Sequence, residues 1–135
     1  MFSKSEAFSS FSVDDIDQAR RFYGETLGLE VRDGMMDNLD VRLGNGARVF
    51  IYAKPDHVPA SFTVLNFVSD DLEKTVDALN ARGVTTKIYG DNELPDMPAN
   101  DDKGIMRDEE GRAGIAWFRD PAANVLAVVS KTMPK

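Results

Sequence analysis

The chain has 135 residues, 42% of them hydrophobic, which is enough for one domain whose core needs no disulfide or structural metal. The sequence contains no cysteine, so disulfides, thiolate metal sites and cysteine nucleophiles are excluded. The formal net charge of −7 argues against nucleic acid or an anionic membrane as a partner and favours a cationic ligand.

Targeting and membrane segments are not expected. The first ten residues include Lys4 and Glu6 and have no apolar stretch of the signal-peptide type. The longest segment free of charge, 58–69, is shorter than the roughly 20 apolar residues that cross a bilayer. We therefore expect a cytoplasmic protein.

The first half of the chain predicts a strand, a helix and three further strands. In segment 8–13, apolar residues alternate with serines, which is typical of a strand with one buried face. Asp14 or Asp15 can cap the following helix, and Gly28 suits the left-handed position at its end. The further strands are predicted at Leu29 to Arg32, Leu39 to Leu43 and Ala47 to Ala53, the last two joined by a turn at Gly44–Gly46.

The second half repeats this plan. Its strand, Val64 to Ser69, leads into a helix that begins at Asp70 and stops at Gly83. Further strands are predicted at Thr85 to Tyr89, Gly114 to Arg119 and Asn124 to Ser130. Because neither half can bury all its apolar faces alone, we expect a single domain in which module 1, about 7–54, and module 2, about 61–131, pair across a connector at 55–60.

A long polar segment, 90–114, interrupts the second half. It includes two prolines and eight acidic residues. Connections of this length are either solvated loops or lids that cover a ligand, and the sequence leaves both interpretations open.

Three short stretches carry a family resemblance: Val13–Ile16 with Phe22, Tyr23, Leu27 and Gly28; Asp70–Leu72; and Trp117–Pro121 followed by Asn124. With them the chain resembles the vicinal oxygen chelate superfamily, the glyoxalase, bleomycin-resistance and extradiol-dioxygenase group. The resemblance implies an α+β fold of two paired βαβββ modules that form a curved, cup-shaped mixed sheet with the helices on its outer face. Ala123 stands where the family usually has glycine, which predicts a mildly strained turn.

The resemblance also implies where a metal would bind. In metal-dependent relatives the ligands come from the first and last strands of each module, and these positions fall on Phe8, Val64, Ala127 and either Phe50 or Tyr52. Hydrocarbon and phenol side chains do not supply the several oxygen or imidazole donors that a divalent cation needs. We therefore predict no metal site and no cofactor. The single histidine, His57, is expected to be an exposed loop residue away from the cup.

Strand alternation places Phe8, Ser10 and Ser12 on one face of the predicted sheet and Val64 and Asn66 on the matching face of the second module. To these expected pocket residues the resemblance adds the last-strand positions Phe50, Tyr52 and Ala127, and Tyr89 and Trp117 are further aromatic candidates. For each aromatic ring the alternative is that it fills the core. The amide of Asn66 lies within an apolar run, so we expect it to bond either a ligand or neighbouring backbone.

The sequence thus favours a metal-independent protein that binds a small aromatic or cationic molecule in its cup, in the manner of sequestration or resistance proteins. The alternative is an enzyme: a divergent glyoxalase-type lyase or isomerase, a dioxygenase-like enzyme, or a cofactor-free enzyme that uses Glu93 or Asp102. No catalytic residue is assigned. A homodimer is expected, because relatives commonly pair their sheet edges and module faces.

Overall fold

The computed structural model describes residues 1–90, 93 and 99–131. The chain divides into two compact units, Met1–Pro59 and Ala60–Lys135. Within the described ranges each unit contains one α-helix and one four-stranded mixed sheet. The fold is therefore α+β and consists of two βαβββ modules, as predicted.

Unit 1 contains strands β1 (Ser9–Val13), β2 (Glu30–Asp33), β3 (Leu39–Arg42) and β4 (Arg48–Ala53) and helix α1 (Ile16–Arg21). A π-helical turn, Phe22–Thr26, continues α1, and a short 3₁₀ turn, Met35–Asp37, precedes β3. The strand order is β1-β4-β3-β2, with β1 parallel to β4 and the other pairs antiparallel.

Unit 2 contains strands β5 (Thr63–Ser69), β6 (Met106–Arg107), β7 (Gly114–Arg119) and β8 (Val125–Ser130) and helix α2 (Leu72–Ala81). The strand order, β5-β8-β7-β6, repeats that of unit 1, and the first and last strands are again parallel neighbours. In the described ranges, 1–90, 93 and 99–131, no helix is long and apolar enough to cross a membrane.

Both helices begin at an aspartate that satisfies a free backbone amide of the first turn. Asp15 accepts a 3.1 Å hydrogen bond from the Gln18 amide, which decides between the two predicted caps of α1. Asp71 accepts an equivalent bond from the Lys74 amide, so the cap of α2 lies one residue after the predicted Asp70.

One face of each sheet packs against the helix of the same unit. In unit 1 the buried side chains are those of Val13, Tyr23, Leu39 and Ile51, and in unit 2 those of Val76, Phe118, Leu126 and Val128; each is at most 1% exposed. Burial of these side chains is the main source of stability. The opposite face of each sheet, which we call the open face of that unit, carries the remaining strand side chains.

The predicted strand at Thr85 to Tyr89 is wrong: this segment is irregular, and the edge strand of unit 2 is β6. Side chains, rather than a strand ladder, satisfy its polar groups. The buried Thr86 hydroxyl donates to the Lys103 carbonyl at 2.6 Å and accepts from the Asn80 amide at 2.9 Å. Thr86, in this β-branched segment, therefore has hydrogen-bond partners although the segment is not part of the sheet.

A tight turn around Asp101 organises the described end of the long polar segment. Its carboxylate accepts hydrogen bonds from the amides of Lys103 and Ile105, each at 2.9 Å, and from Arg107 Nη1 at 2.8 Å. Burial alone would raise the pKa of Asp101, but these hydrogen bonds outweigh it and hold the pKa below its ordinary value. Residues 91–92 and 94–98 of the predicted loop or lid lie outside the described residues.

The turn between β7 and β8 contains the substitution noted in the sequence. Ala123 has φ of +68°, in the left-handed region that favours glycine. Buried Asp120 holds this turn by accepting hydrogen bonds from the amides of Ala122 and Asn124, at 3.0 and 2.8 Å. The predicted strain in this turn is confirmed.

Candidate ligand-binding faces

The open face of unit 1 follows from strand register. Neighbouring residues in adjacent strands point to the same side of a sheet, so Ser10, Phe50, Asp40 and Arg32 form one row across the four strands. Ser12 and Tyr52 are paired beside this row, and Arg48, Arg42 and Glu30 form a parallel row on its other side.

Three aromatic rings of this face form a continuous series, which we call the aromatic row: Phe8, Phe50 and Tyr52. The ring centroids of Phe8 and Phe50 are 6.5 Å apart in an edge-on arrangement, and those of Phe50 and Tyr52 are 6.2 Å apart and nearly parallel. Phe8 is 54% exposed, while Phe50 and Tyr52 are half-buried. None of these rings is part of the buried core, so their surfaces are accessible for contact.

An arginine pair, Arg42 and Arg48, lies next to the aromatic row. Arg42 Nη2 is 3.0 Å from Asp40 Oδ2, and Arg48 Nε is 3.5 Å from Asp40 Oδ1. The guanidinium carbon of Arg48 lies 4.3 Å from the centre of the Phe8 ring, a cation–π contact. The sequence interpretation missed this pair, although alternation within the predicted strands places Arg48 on the face of Phe50 and Arg42 on that of Asp40.

The structure corrects the expectation for His57. Its Nδ1 atom forms a 2.7 Å hydrogen bond with the Ser12 hydroxyl, and the residue is half-buried. Backbone bonds from Lys54 to the Val13 carbonyl and from His57 to the Lys54 carbonyl fold the connector back onto the end of β1. The histidine therefore contacts a predicted pocket residue. Spacing could not show this, because 45 residues separate the two partners.

The open face of unit 2 is less polar. Asn66, Ala127 and Trp117 lie in one row across β5, β8 and β7. The Trp117 ring meets Tyr89 edge-on, with 5.4 Å between centroids, and its indole nitrogen donates to the Thr63 hydroxyl at 3.1 Å. Both rings are half-buried, as in unit 1.

Three other predicted pocket residues of this unit differ in their exposure. Asn66 is exposed, so solvent can satisfy its amide, and burial does not require the expected bond to a ligand or to neighbouring backbone. Val64 is half-buried at a register shift between Thr63 and Leu65 and has no partner in the adjacent strand. Ala127 is completely buried and offers little contact surface.

The positions at which the family resemblance implies metal ligands carry Phe8, Val64, Ala127 and either Phe50 or Tyr52. In the part of the chain that the structure describes, no three His, Asp or Glu side chains lie close enough together to hold a metal ion. Coordination needs such a cluster of donors at 2.0–2.6 Å.

A separate cleft of about 300 Å³ lies beside the start of α2. Charged side chains of both signs line it and pair with each other: Lys131 Nζ is 2.8 Å from Asp70 Oδ1, and Arg107 Nη2 is 4.0 Å from Glu73 Oε2. The hydrogen bond to Asp70 raises the pKa of Lys131. Because its charges are already matched, this cleft has no evident preference for a ligand.

Comparison with protein families agrees with this architecture. The model of the Glyoxalase/Bleomycin resistance protein/Dioxygenase superfamily matches residues 8–128. The chain therefore belongs to this superfamily. A comparison with curated proteins finds no significant match.

Solved structures of the same fold cover almost the entire chain. A glyoxalase family protein from Enterococcus faecalis is 21% identical, with a TM-score of 0.66 over 96% of this chain and 99% of its own. A lactoylglutathione lyase from Agrobacterium tumefaciens is 17% identical, with a TM-score of 0.65 over 94% of both chains. An integron cassette protein from Vibrio cholerae is 18% identical, with a TM-score of 0.63 over 98% of this chain and 100% of its own. At these identities the similarity establishes the fold.

Proposed function

We propose that the protein binds a small molecule with a flat aromatic group, without a metal ion, in the manner of a sequestration or resistance protein. The aromatic row of unit 1 carries this proposal. Half-buried rings beside hydroxyl and guanidinium groups are the usual components of a small-molecule site, where rings supply contact area and polar groups fix orientation. In unit 2, Trp117 and Tyr89 provide two half-buried rings, and Asn66 provides an amide.

The proposal that no metal ion is needed rests on the chemistry of the side chains at the implied ligand positions. The positions that would coordinate the ion carry phenyl, phenol, isopropyl and methyl groups, none of which is a useful donor for a divalent cation.

Charge gives two opposing indications about the ligand. The net charge of −7 attracts cations over long distances, whereas Arg42 and Arg48 repel a cation that approaches the aromatic row. The aromatic group is therefore the part of the proposal that both units support.

The test is a thermal-shift screen of planar aromatic compounds in the presence of a chelator, followed by calorimetry. A bound ligand at 100 times its Kd stabilises a protein by about 2.7 kcal/mol, which gives a measurable increase in Tm. Phe50→Leu should weaken binding about tenfold by removing the central ring of the row. Phe62→Leu is the control, because Phe62 is 68% exposed and lies outside the strands. Stabilisation that requires an added divalent metal would contradict the proposal.

The Ser12–His57 hydrogen bond supports a second candidate, a lyase or isomerase, because it holds an imidazole, a common proton acceptor, against Ser12, which is paired with Tyr52. The predicted carboxylates contribute less. Glu93 accepts a hydrogen bond from the Gly90 amide at 2.9 Å, and Asp102 is exposed. An enzyme of this kind should turn over the thiol adduct of a 2-oxoaldehyde and lose that activity in His57→Gln. Absence of turnover, with and without divalent metals, would exclude it.

We further propose that the protein is a cytoplasmic homodimer whose partners are small molecules rather than nucleic acid or membranes. Val68, 66% exposed on the edge strand β5, provides apolar surface that a second copy could cover without reaching the aromatic row. Light scattering at micromolar concentration should give twice the mass of the chain. A monomeric mass would disprove the dimer.

A further inference from the structure

The arginine pair has an unusual arrangement for a sheet surface. Arg42 and Arg48 are directly opposite each other in the antiparallel pair β3–β4. Like charges at such positions destabilise a sheet. Among the residues that the structure describes, Asp40 is the one carboxylate paired with these two guanidinium groups.

The charges of the surrounding face do not restore neutrality. Arg32 is paired with Glu30 at 2.8 Å, so this pair cancels. Asp40 balances one of the two remaining arginines. The open face of unit 1 therefore carries an excess of one positive charge, in a chain whose net charge is −7.

The two guanidinium groups also have unused hydrogen-bonding capacity. Among the described residues, the buried Nε atoms of Arg42 and Arg48 and the Oδ1 atom of Asp40 have no hydrogen-bond partner. Each guanidinium has five N–H donors, and the two side chains are 34% and 38% exposed. Because these Nε atoms are buried, an additional acceptor that approaches from solvent would meet the terminal Nη groups of the two partly exposed side chains instead.

Arg48 places these hydrogen-bond donors next to the aromatic row. Its guanidinium lies over Phe8, whose ring neighbours Phe50. A planar ligand in contact with these rings would place a substituent within reach of the arginines. Guanidinium groups form stronger hydrogen bonds with carboxylate or phosphate oxygens than with the oxygens of neutral groups, because the interaction is charge-assisted.

We propose that Arg42 and Arg48 bind the acidic group of an aromatic acid whose ring contacts Phe8 and Phe50. This inference rests on the proposed function and specifies its ligand class. It also replaces the cationic ligand that net charge alone favours, because the local excess of positive charge determines which substituent is accepted next to the rings.

The experiment compares ligands that differ only in the substituent. Calorimetry measures the binding of 2-naphthoate, 2-naphthyl phosphate, the neutral 2-naphthamide and the cationic 2-naphthylmethylamine to the full chain. We expect the better acid to bind at least about tenfold more tightly than the amide, and the amine to bind least. The two acids separate a carboxylate ligand from a phosphate ligand.

Variants then locate the effect. Arg42→Gln and Arg48→Gln should each reduce the preference for the acid over the amide to less than about threefold, while amide affinity stays within twofold. Arg119→Gln removes an exposed arginine from the open face of unit 2 and should leave the preference unchanged. If Arg119→Gln abolishes the preference instead, the assignment to Arg42 and Arg48 is wrong.

A salt series on the unmodified chain keeps the test independent of variant folding. Increasing salt should weaken acid binding and leave amide binding nearly constant, because only the acid interaction is ionic. If no member of the series binds, the proposed function itself fails. If the amide binds as tightly as both acids, aromatic binding stands and the acid site is disproved.

Discussion

The two units have the same strand order but different open faces. In unit 1 the face combines three aromatic rings with five charged side chains, whereas in unit 2 Asn66, Ala127 and Trp117 form a neutral row. The helix-facing sides are similar, because both consist of buried aliphatic and aromatic residues. Packing against the helix constrains one side of each strand, while the other side can acquire different chemistry without altering the topology.

Two glycines with the same backbone conformation provide the largest expected contrast between the units. Gly104 and Gly46 both have φ of +83°, but a Cβ on Gly104 would collide with the Thr86 carbonyl oxygen and the Lys87 Cα, whereas one on Gly46 meets no atom within 4 Å. Gly104→Ala should cost about 3 kcal/mol or more, and Gly46→Ala about 1 kcal/mol. Urea denaturation measures both values.

Equal losses for the two variants would show that the close approach between 104 and 86–87 does not exist in solution. In that case, the contact with Gly104 would not account for the burial of Thr86. Circular dichroism of both variants serves as the control for the native fold.

The turn around Asp101 is held by three side-chain hydrogen bonds, whereas in the hairpin of unit 1 the Asn45 side-chain oxygen accepts one hydrogen bond from the Ala47 amide. Asp101→Asn should cost about 1–2 kcal/mol at pH 7, because the charged acceptor for Arg107 is lost. The folded-state pKa is lowered, so this stabilisation is present above the unfolded pKa of about 4 and disappears as the pH falls through the folded pKa.

Unfolding free energies of the wild type and of Asp101→Asn, measured from pH 7 to pH 2.5, should therefore converge at the acidic end. Asp102→Asn is a matched control, because that neighbouring carboxylate is exposed. A difference that stays constant with pH would show that Asp101 is not stabilised as an anion.

The turns before the last strand of each unit also differ. Gly46 occupies the left-handed position in unit 1, whereas Ala123 occupies the one in unit 2 with φ of +68°. Ala123→Gly should stabilise the protein by about 0.5 kcal/mol, since relief of the unfavourable conformation exceeds the added flexibility of the unfolded chain. Thermal denaturation should show a Tm higher by a few degrees, and a decrease would contradict the assigned conformation.

The smallest effect is expected at Asn66. Because this side chain is exposed, Asn66→Ala should change the free energy of unfolding by less than about 0.5 kcal/mol. A loss above about 1 kcal/mol, measured by urea denaturation, would indicate that the Asn66 amide makes a structural hydrogen bond to neighbouring backbone. Val68→Ala on the same strand is a suitable comparison, since it is also exposed.

Local patterns predicted most of the fold. Alternation identified seven of the eight described strands, and the aspartates and glycines that flank the helices indicated the helix ends to within a residue or two. The failure at Thr85 to Tyr89 has a clear cause: β-branched residues also suit a segment held by side-chain bonds, such as that of Thr86 to the Lys103 carbonyl.

The site could be predicted only in part. The family resemblance pointed to Phe50 and Tyr52. Alternation within the predicted last strand also places Arg48 on their face, but the position of Arg42 opposite Arg48 depends on the register between β3 and β4. The Ser12–His57 bond was inaccessible to any such rule, because it depends on the path of the connector after Lys54.

The hydrogen-bonded indole of Trp117 has a practical consequence, since it is the only tryptophan of the chain and belongs to unit 2. Intrinsic fluorescence excited at the red edge of the spectrum therefore reports on one half of the protein, whereas far-ultraviolet dichroism reports on both. Superimposable denaturation curves from the two signals would indicate a single cooperative transition. Separated midpoints would reveal that the duplicated halves unfold independently, and would show which half unfolds first.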